Sequence, residues 1–488
     1  MHNNRKNFYF ESRKKLSCDY YHNEPTIGAV SLIPKLSEIR MKSWQLVLIA
    51  FITAFWHPLL TAADLMGVYQ DALAHDAQYR SARAAYEASQ EKTTQGRAGF
   101  LPNIAFSANR NIQQIDVGRI SAAGGLTTNP PENTIHTGSL VLTATQPLFR
   151  MENIIIYQQS KTEVSRADAQ FIVAGQDLIL RVSQAYFDVL DAQIDVEVAE
   201  TQKKAIQKQL EQAKRNFEVG TATIVDTNEA QARYDLTLSQ EIAARNALEI
   251  RKRTLQSVTT RFPENLTGTK EIISGLAGLK YKTMDEWVQA AEAQNFTLKI
   301  QQAAYELALQ EVKRINAQHY PTLDLVAQYS DQANVGAAIT GRGIDLTSKS
   351  IGVQLNVPIF QGFSVQSRVR EAIALKEKAY HDLESTRRNI TLQARQQFLN
   401  VTNGIAQINA LKQAYKSSQT QLESTMLGQQ VGVRTEVDVL NAQQQTYAAK
   451  RDLAKAYHSY LMSRLRLTAE TGELDEDALI QINAMLVK

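Results

Sequence analysis

Three polar residues toward the C-terminus, Arg434, Asp438 and Asn441, stand at positions i, i+4 and i+7, a spacing that gathers side chains onto one face of a helix. Charges on a helix face are ordinarily solvated, and by residue type alone this set reads that way. The same stretch has a weaker twin earlier in the chain, where Asp226 occupies the place of Asp438. Ahead of each acid stands a glycine, Gly220 or Gly432, where a helix must reverse; glycine accepts the positive φ such turns need at little steric cost. Chemistry of other kinds is missing. There is no Gly-x-x-x-x-Gly-Lys phosphate loop and no His-Glu-x-x-His, and the histidines are scattered. The single cysteine, Cys18, permits neither an internal disulfide nor a cysteine metal site. The chain therefore reads as no enzyme, needs no cofactor, and has no nucleotide site from which to draw energy.

Composition fits long helices. Among 488 residues only 10 are proline and 22 glycine, and beyond residue 150 Ala, Gln, Leu, Glu, Lys and Arg dominate. A net charge of +3 with no compact basic cluster argues against nucleic acid as a partner. Met41-Lys42, an apolar run from Trp44 to Trp56, and Thr61-Ala62-Ala63 have the layout of a secretory signal over 41–63. Cleavage is expected after Ala63, and His57-Pro58 cut the run below the ~20 apolar residues of a membrane span. Residues 1–40 precede this signal and are expected to lie outside the mature protein.

The elements that must carry the polar set come in two copies. Ala84-Ala85-Tyr86-Glu87 recurs as Ala303-Ala304-Tyr305-Glu306 at an offset of 219. Gln146-Pro147-Leu148-Phe149 matches Val357-Pro358-Ile359-Phe360 at 211, and Val219-Gly220-Thr221 matches Val431-Gly432-Val433 at 212. A period above 200 means two copies of one large unit rather than a solenoid of short repeats. The first unit spans 64–270, with a β-hairpin over 100–149 and a helical hairpin over 150–260. The second spans 271–488, with a β-hairpin over 319–360, a helical hairpin over 363–471 and a C-terminal segment.

Within each unit the period of apolar residues changes. Ile351, Val353, Leu355, Val357 and Ile359 alternate with Gly352, Gln354 and Asn356, the clearest strand. Ile104, Phe106 and Ala108 alternate likewise, and Leu140, Leu142 and Ala144 more weakly; loops are expected over 119–136 and about 332–346. From Asn153 to Val219 and from Gln366 to Val431 there is no proline, so each run can form a helix on the order of 100 Å long. Phe187, Leu190, Ile194 and Val198, and later Leu411, Tyr415, Ser418 and Leu422, form thin stripes on polar rods, as coiled coils do. Each rod is expected to turn at its glycine and return as a hairpin.

Four amphipathic strands suit either a sheet lying on a core or a barrel wall with lipid outside and water within. A secretory signal, the lack of cysteines and the Pro-flanked hairpins favour the wall. Sheet edges cannot stand open in lipid, and closure takes at least about 8 strands, so more than one chain must contribute. A coiled-coil scaffold or adhesin without a pore is the competing class, and the alternation at 351–359 speaks against it.

From about Asp64 to the C-terminus the layout resembles the TolC-type outer-membrane efflux and type I secretion ducts. VGVRTEVDVLNAQ (431–443), its twin VGTATIVDTNEAQA (219–232) and Thr471-Gly472-Glu473-Leu474 carry the resemblance. It implies an α+β membrane protein: a homotrimer whose chains each give four strands to a 12-strand barrel in outer-membrane lipid, continued by a long α-helical coiled-coil barrel in the periplasm. It implies as partners a periplasmic adaptor protein and an inner-membrane pump of the ABC or RND type, with export passive through the duct. It also assigns roles. Arg434 would tether neighbouring helices shut with the help of Asp226, Asp438 would form an acidic ring at the narrowest point, and the tips at Gly220 and Gly432 would meet the adaptor. Asn441 departs from the family pattern, which has a second acid there.

Overall fold

A computed structural model of the chain describes residues 64–115, 119–120, 126–127, 133–260, 266, 279–335 and 344–486. The expected signal over 41–63 and the segment before it lie outside these. The element order is α1 (Leu65–His75), α2 (Ala77–Ala98), β1 (Asn103–Ile115), β2 (Arg119–Ile120), β3 (Leu126–Thr127), β4 (Asn133–Phe149), α3 (Met151–Glu218) and α4 (Ile224–Thr259). There follow α5 (Met284–Gln294), α6 (Phe296–Asn316), a 3-10 turn (Ala317–His319), β5 (Thr322–Val335), β6 (Ile344–Asn356), α7 (Ser364–Gln430), α8 (Glu436–Glu470) and α9 (Glu476–Leu486).

The two long helices, α3 with 68 residues and α7 with 67, are the rods on which everything else is hung. Near the sheet α2 packs on α3, α6 lies between α3 and α7, and beyond the middle α4 and α8 replace them. Shorter α1, α5 and α9 wrap the waist. There Leu178, Val182, Tyr186 and Phe187 of α3 meet Leu65 and Ala72 of α1, Leu461, Leu465 and Leu467 of α8, and Leu479 of α9, all buried. The stripes lie inward as their spacing requires: Phe187, Leu190, Val198 and Ser418 are buried, and Ile194, Leu411, Tyr415 and Leu422 half-buried.

The internal repeat has a structural signature at the waist. Asp76 caps α2 by accepting the Tyr79 N–H at 2.7 Å, and its counterpart in the second unit, Asn295, caps α6 by accepting that of Leu298 at 3.0 Å. Each is buried and also grips a long element: Asp76 receives Arg181 of α3, and Asn295 donates to the Glu470 carbonyl of α8. Just beyond, Gly472 turns the chain at φ +71°, and a Cβ there would sit 2.6 Å from the Gln294 carbonyl oxygen. Gly472→Ala therefore meets both a left-handed backbone and a rigid neighbour, and is expected to cost about 3 kcal/mol. Gly220→Ala has the same sign of φ with open space around it, and is expected to cost about 1 kcal/mol. Thermal unfolding of the two variants side by side checks the difference.

Four strands form one antiparallel sheet in the order β1-β4-β5-β6. Its register sets Ile104, Phe106, Ala108 and Ile112 of β1 on the same face as Leu140, Leu142 and Ala144 of β4. That face continues through Leu323, Leu325, Ala327 and Tyr329 of β5 to Ile351, Val353 and Leu355 of β6. Asn103, Ser107, Asn109, Thr143, Gln328, Ser330, Ser348 and Gln354 occupy the other face. In the single chain Ile104, Phe106, Ile351 and Val353 are exposed at 62–75%.

Strand bounds differ from the sequence expectation. β6 runs from Ile344 to Asn356, so Val357 and Ile359 fall outside it: Pro358 has no N–H to give a ladder, and the chain turns at Gly362 into α7. β4 begins at Asn133 and β5 continues to Val335, inside segments expected to be loops, because pairing with β1 and β6 recruits residues whose own pattern does not alternate. At the end of the sheet nearest the helices, Phe100, Leu101, Leu148, Phe149, Tyr320, Phe360 and Phe363 are all exposed.

Candidate functional site: the hairpin tips

The α3–α4 and α7–α8 hairpins end in matching turns. Gly220 and Gly432 both have φ +79°, and nothing lies within 4 Å of a Cβ built on either. In the first turn the Asn216 carbonyl accepts the N–H groups of Thr221 (2.8 Å) and Ala222 (3.2 Å); in the second, Gly428 accepts those of Val433 (2.9 Å) and Arg434 (3.1 Å). The 6→1 bonds satisfy carbonyls that a helix end would otherwise leave open. Both tips are exposed, and together they form the extremity of the chain farthest along the long helices from the sheet.

The return helices then start with identical capping boxes. Thr435 is the N-cap of α8: the Asp438 N–H donates to its Oγ1 at 3.2 Å, and Asp438 Oδ2 accepts both the Thr435 N–H and hydroxyl at 2.9 Å. Thr223 and Asp226 repeat this at 2.8, 2.8 and 3.3 Å. These bonds favour the ionised form, so both carboxyls lie below the ordinary carboxylate range, with Arg434 a smaller additional cause for Asp438. Each acid thus holds a helix start as well as presenting a charge, a role that the Thr-x-x-Asp spacing carries and that the reading of a polar helix face misses.

The geometry alters one expectation. Arg434 precedes the N-cap and is not on the helix, so helical spacing does not place it beside Asp438 and Asn441. The turn does so instead. All three border one groove of about 330 Å³ with Gln421, Ser424, Thr425, Ala442 and Gln445. The Arg434 stem lies over Gly428, where a Cβ would come within 2.8 Å of its Cγ. In sequence Gly428 is only a break in a helical run; its service is to let the arginine fold down. Its counterpart is Asn216, and in that turn Ala222 replaces the arginine. Among the described residues no hydrogen bond or ion pair within the chain holds the Arg434 guanidinium, and it is exposed. Asp226 borders a different groove of about 390 Å³, with Asn216, Glu229 and Arg233 on one side and Thr435 and Glu436 of the second hairpin on the other. In the single chain Asp226 and Arg434 thus border these two different grooves.

Among the described residues no group of three or more His, Cys, Asp or Glu has metal-binding geometry, and no helix is long and apolar enough to cross a membrane. The family model for the outer membrane efflux protein matches the chain in two segments, residues 68–261 and 287–473, one in each half. The chain belongs to the outer membrane efflux protein family. It is 30% identical over 456 residues to outer membrane protein TolC of Escherichia coli (strain K12), covering 92% of this chain and 90% of that one. Alkaline protease secretion protein AprF of Pseudomonas aeruginosa is 31% identical over 435 residues, covering 87% and 88%. Its fold is shared with the outer membrane channel CmeC of Campylobacter jejuni, at a TM-score of 0.69 and 15% identity over 87% of this chain and 90% of that structure. As an outer membrane efflux protein the chain is an outer-membrane component of the channel and transport class, and the expected TolC-type resemblance holds over nearly its whole length.

Proposed function

We propose that three copies of this chain close a 12-strand barrel in the outer membrane and join their helices into a periplasmic tunnel, a passive duct for export. The observation that carries this reading is the sheet: one face predominantly apolar on every strand, and an open edge on each side. β1 and β6 have 13 residues each and run in opposite directions, so β6 of one copy can pair antiparallel with β1 of the next. Four strands are too few to close alone, and three sets close in the lipid-out, water-in manner of a spanning wall. The exposed aromatic and leucine residues at the helical end of the sheet suit a membrane–water interface. Relatives named for efflux and for protease secretion support export as the task. A periplasmic adaptor meeting the tips at Gly220 and Gly432, and an inner-membrane pump of the ABC or RND type, supply energy and choose the cargo.

The tips act as the gate. Arg434, without an intrachain partner, reaches the neighbouring copy's exposed Asp226, and three such contacts hold the tunnel end shut. Three Asp438 carboxylates, kept ionised by their caps, face the narrowest point and attract cations through their mutual repulsion. With Asn441 one turn deeper, there is one acidic ring where a second acid would give two. In a planar bilayer the protein should carry current that multivalent cations block from the tunnel side. Asp438→Asn should weaken that block and Asn441→Asp strengthen it. Current indifferent to both changes would move the constriction elsewhere, and absence of current from inserted oligomers would favour a scaffold without a pore.

A further inference from the structure

Where the sheet meets the helices, the two units of the repeat differ in charge. Arg97 stands in the last turn of α2, while Tyr157 and Lys161 stand one turn apart near the start of α3, on one face. The junction of the two helices is close enough to hold the three together. A Cβ on Gly96 would sit 2.9 Å from that of Ser160, so glycine lets α2 lie this near α3. Three residues on, the Gly99 carbonyl accepts a hydrogen bond from Asn153 Nδ2. Lys161 Nζ lies over the Tyr157 ring, 4.4 Å from its centroid. Hydrogen bonding by Arg97, and next by Lys161, holds the Tyr157 phenol below the ordinary phenol range. No acid offsets these cations: Glu163, two residues beyond Lys161, is taken by Arg166 at 2.6 Å, and Glu152 by Arg314 at 2.5 Å. Among the described residues Arg97 and Lys161 form no ion pair, and both are exposed. At the repeat's offsets of 219 for α2 and 212 for α3, the corresponding residues are Asn316, Val369 and Ile373, none of them charged.

Polarity changes in one direction from the sheet to this patch. Ile104 of β1 is exposed at 69%, Leu101 at 56% and Phe100 at 38%. The Phe100 ring meets that of Tyr157 edge-on, with centroids 5.8 Å apart. The cations come next: Lys161 lies a turn farther along α3 from the sheet, and Arg97 a turn back along α2. Apolar residues, then aromatic rings, then cations on long stems is the order that matches acyl chains, the interface and phosphates in a lipid leaflet. A planar guanidinium beside an ammonium suits the oxygens of a phosphate. A zwitterionic headgroup brings its own cation to that phosphate, whereas an anionic one answers the unbalanced charge of the patch.

We propose that Arg97, Tyr157 and Lys161 form a binding site for the phosphodiester of an anionic phospholipid in the leaflet that faces the helices, one site in each chain. The proposal rests on the reading of the sheet as a membrane wall. It is tested on the purified protein in detergent micelles, titrated with phosphatidylglycerol and read by native mass spectrometry. Tightly held lipid should saturate at one per chain, because the second unit lacks the cations. Phosphatidylcholine, which carries the same phosphodiester beside a compensating ammonium, should stay largely unbound at the same ratios. Arg97→Gln with Lys161→Gln should lower the phosphatidylglycerol retained by about tenfold or more, as the loss of two cations at a lipid surface implies. Arg80→Gln with Lys208→Gln removes two exposed cations elsewhere on the same helices and should change it less than about twofold. Equal retention by the two double variants overturns the site, as does equal binding of the two lipids. Displacement of the lipid by millimolar inorganic phosphate would mark a free-anion site and overturn the lipid assignment. Protein that leaves the cells' membranes without detergent would instead overturn the membrane wall on which the proposal rests.

Discussion

Replacing Arg434 by serine is expected to raise the resting conductance of the reconstituted channel several-fold. The turn holds the arginine off the helix, folded over Gly428, with its guanidinium exposed and unpaired within its own chain. A cation so placed is available to a neighbour, and Asp226, kept ionised by Thr223, is an exposed acceptor on the first hairpin. One exposed ion pair is a weak latch. In the proposed trimer three related by symmetry would act at one end of long thin helices, where little apolar surface opposes fraying, so removing all three at once should be visible as current. Arg434→Lys should fall between, because an ammonium keeps the charge and loses the planar two-point contact. Gly428→Ala should resemble Arg434→Ser in direction, since its Cβ would lift the arginine stem. Unchanged resting current in Arg434→Ser would remove the tether from the account and leave the barrel untouched.

The second large effect is expected in the sheet. Ile351 and Val353 lie on the apolar face of β6, Ser350 and Gln354 on the other. With the apolar face against lipid, arginine at Ile351 or Val353 should cost ~2–4 kcal/mol near the bilayer midplane, and in the proposed trimer each of three copies carries the change. The double variant Ile351→Arg, Val353→Arg should fail to assemble in the outer membrane and be recovered from the soluble periplasmic fraction. Ser350→Arg with Gln354→Arg, the same substitution on the water-facing side of the same strand, should assemble and alter only ion selectivity. Were the sheet an ordinary one lying on a protein core, with no lipid on either side, both pairs would behave alike in fractionation.

Much of this architecture is legible in the sequence because the two periods are sharp. Alternation at Ile351, Val353 and Leu355 names a strand, and the long Pro-free runs name the rods. The order of signals in the two halves lays out both units. The rest is hidden for physical reasons. Asn133 to Gly138 and Ile344 to Ser350 lack a pattern of their own and become strand only through their partners in the ladder. The spacing of Arg434 to Asp438 and Asn441 suits a helix and suggests one for all three; the Thr435 cap starts the helix only after the arginine. The capping role of Asp438 and Asp226 is written in Thr-x-x-Asp, yet an acid on a polar face invites reading as a free charge.

The measurement that bears most directly on the central claim is the mass of the purified mature protein in detergent micelles, taken by native mass spectrometry with the detergent stripped in the gas phase. Two open sheet edges of equal length and opposite direction, on a sheet too narrow to close alone, require more than one copy, and the proposed trimer supplies twelve strands. One dominant species of three chains is expected, persisting on dilution because strand ladders hold it. A stable monomer would contradict it, for then β1 and β6 would stand unpaired in lipid and no barrel could form.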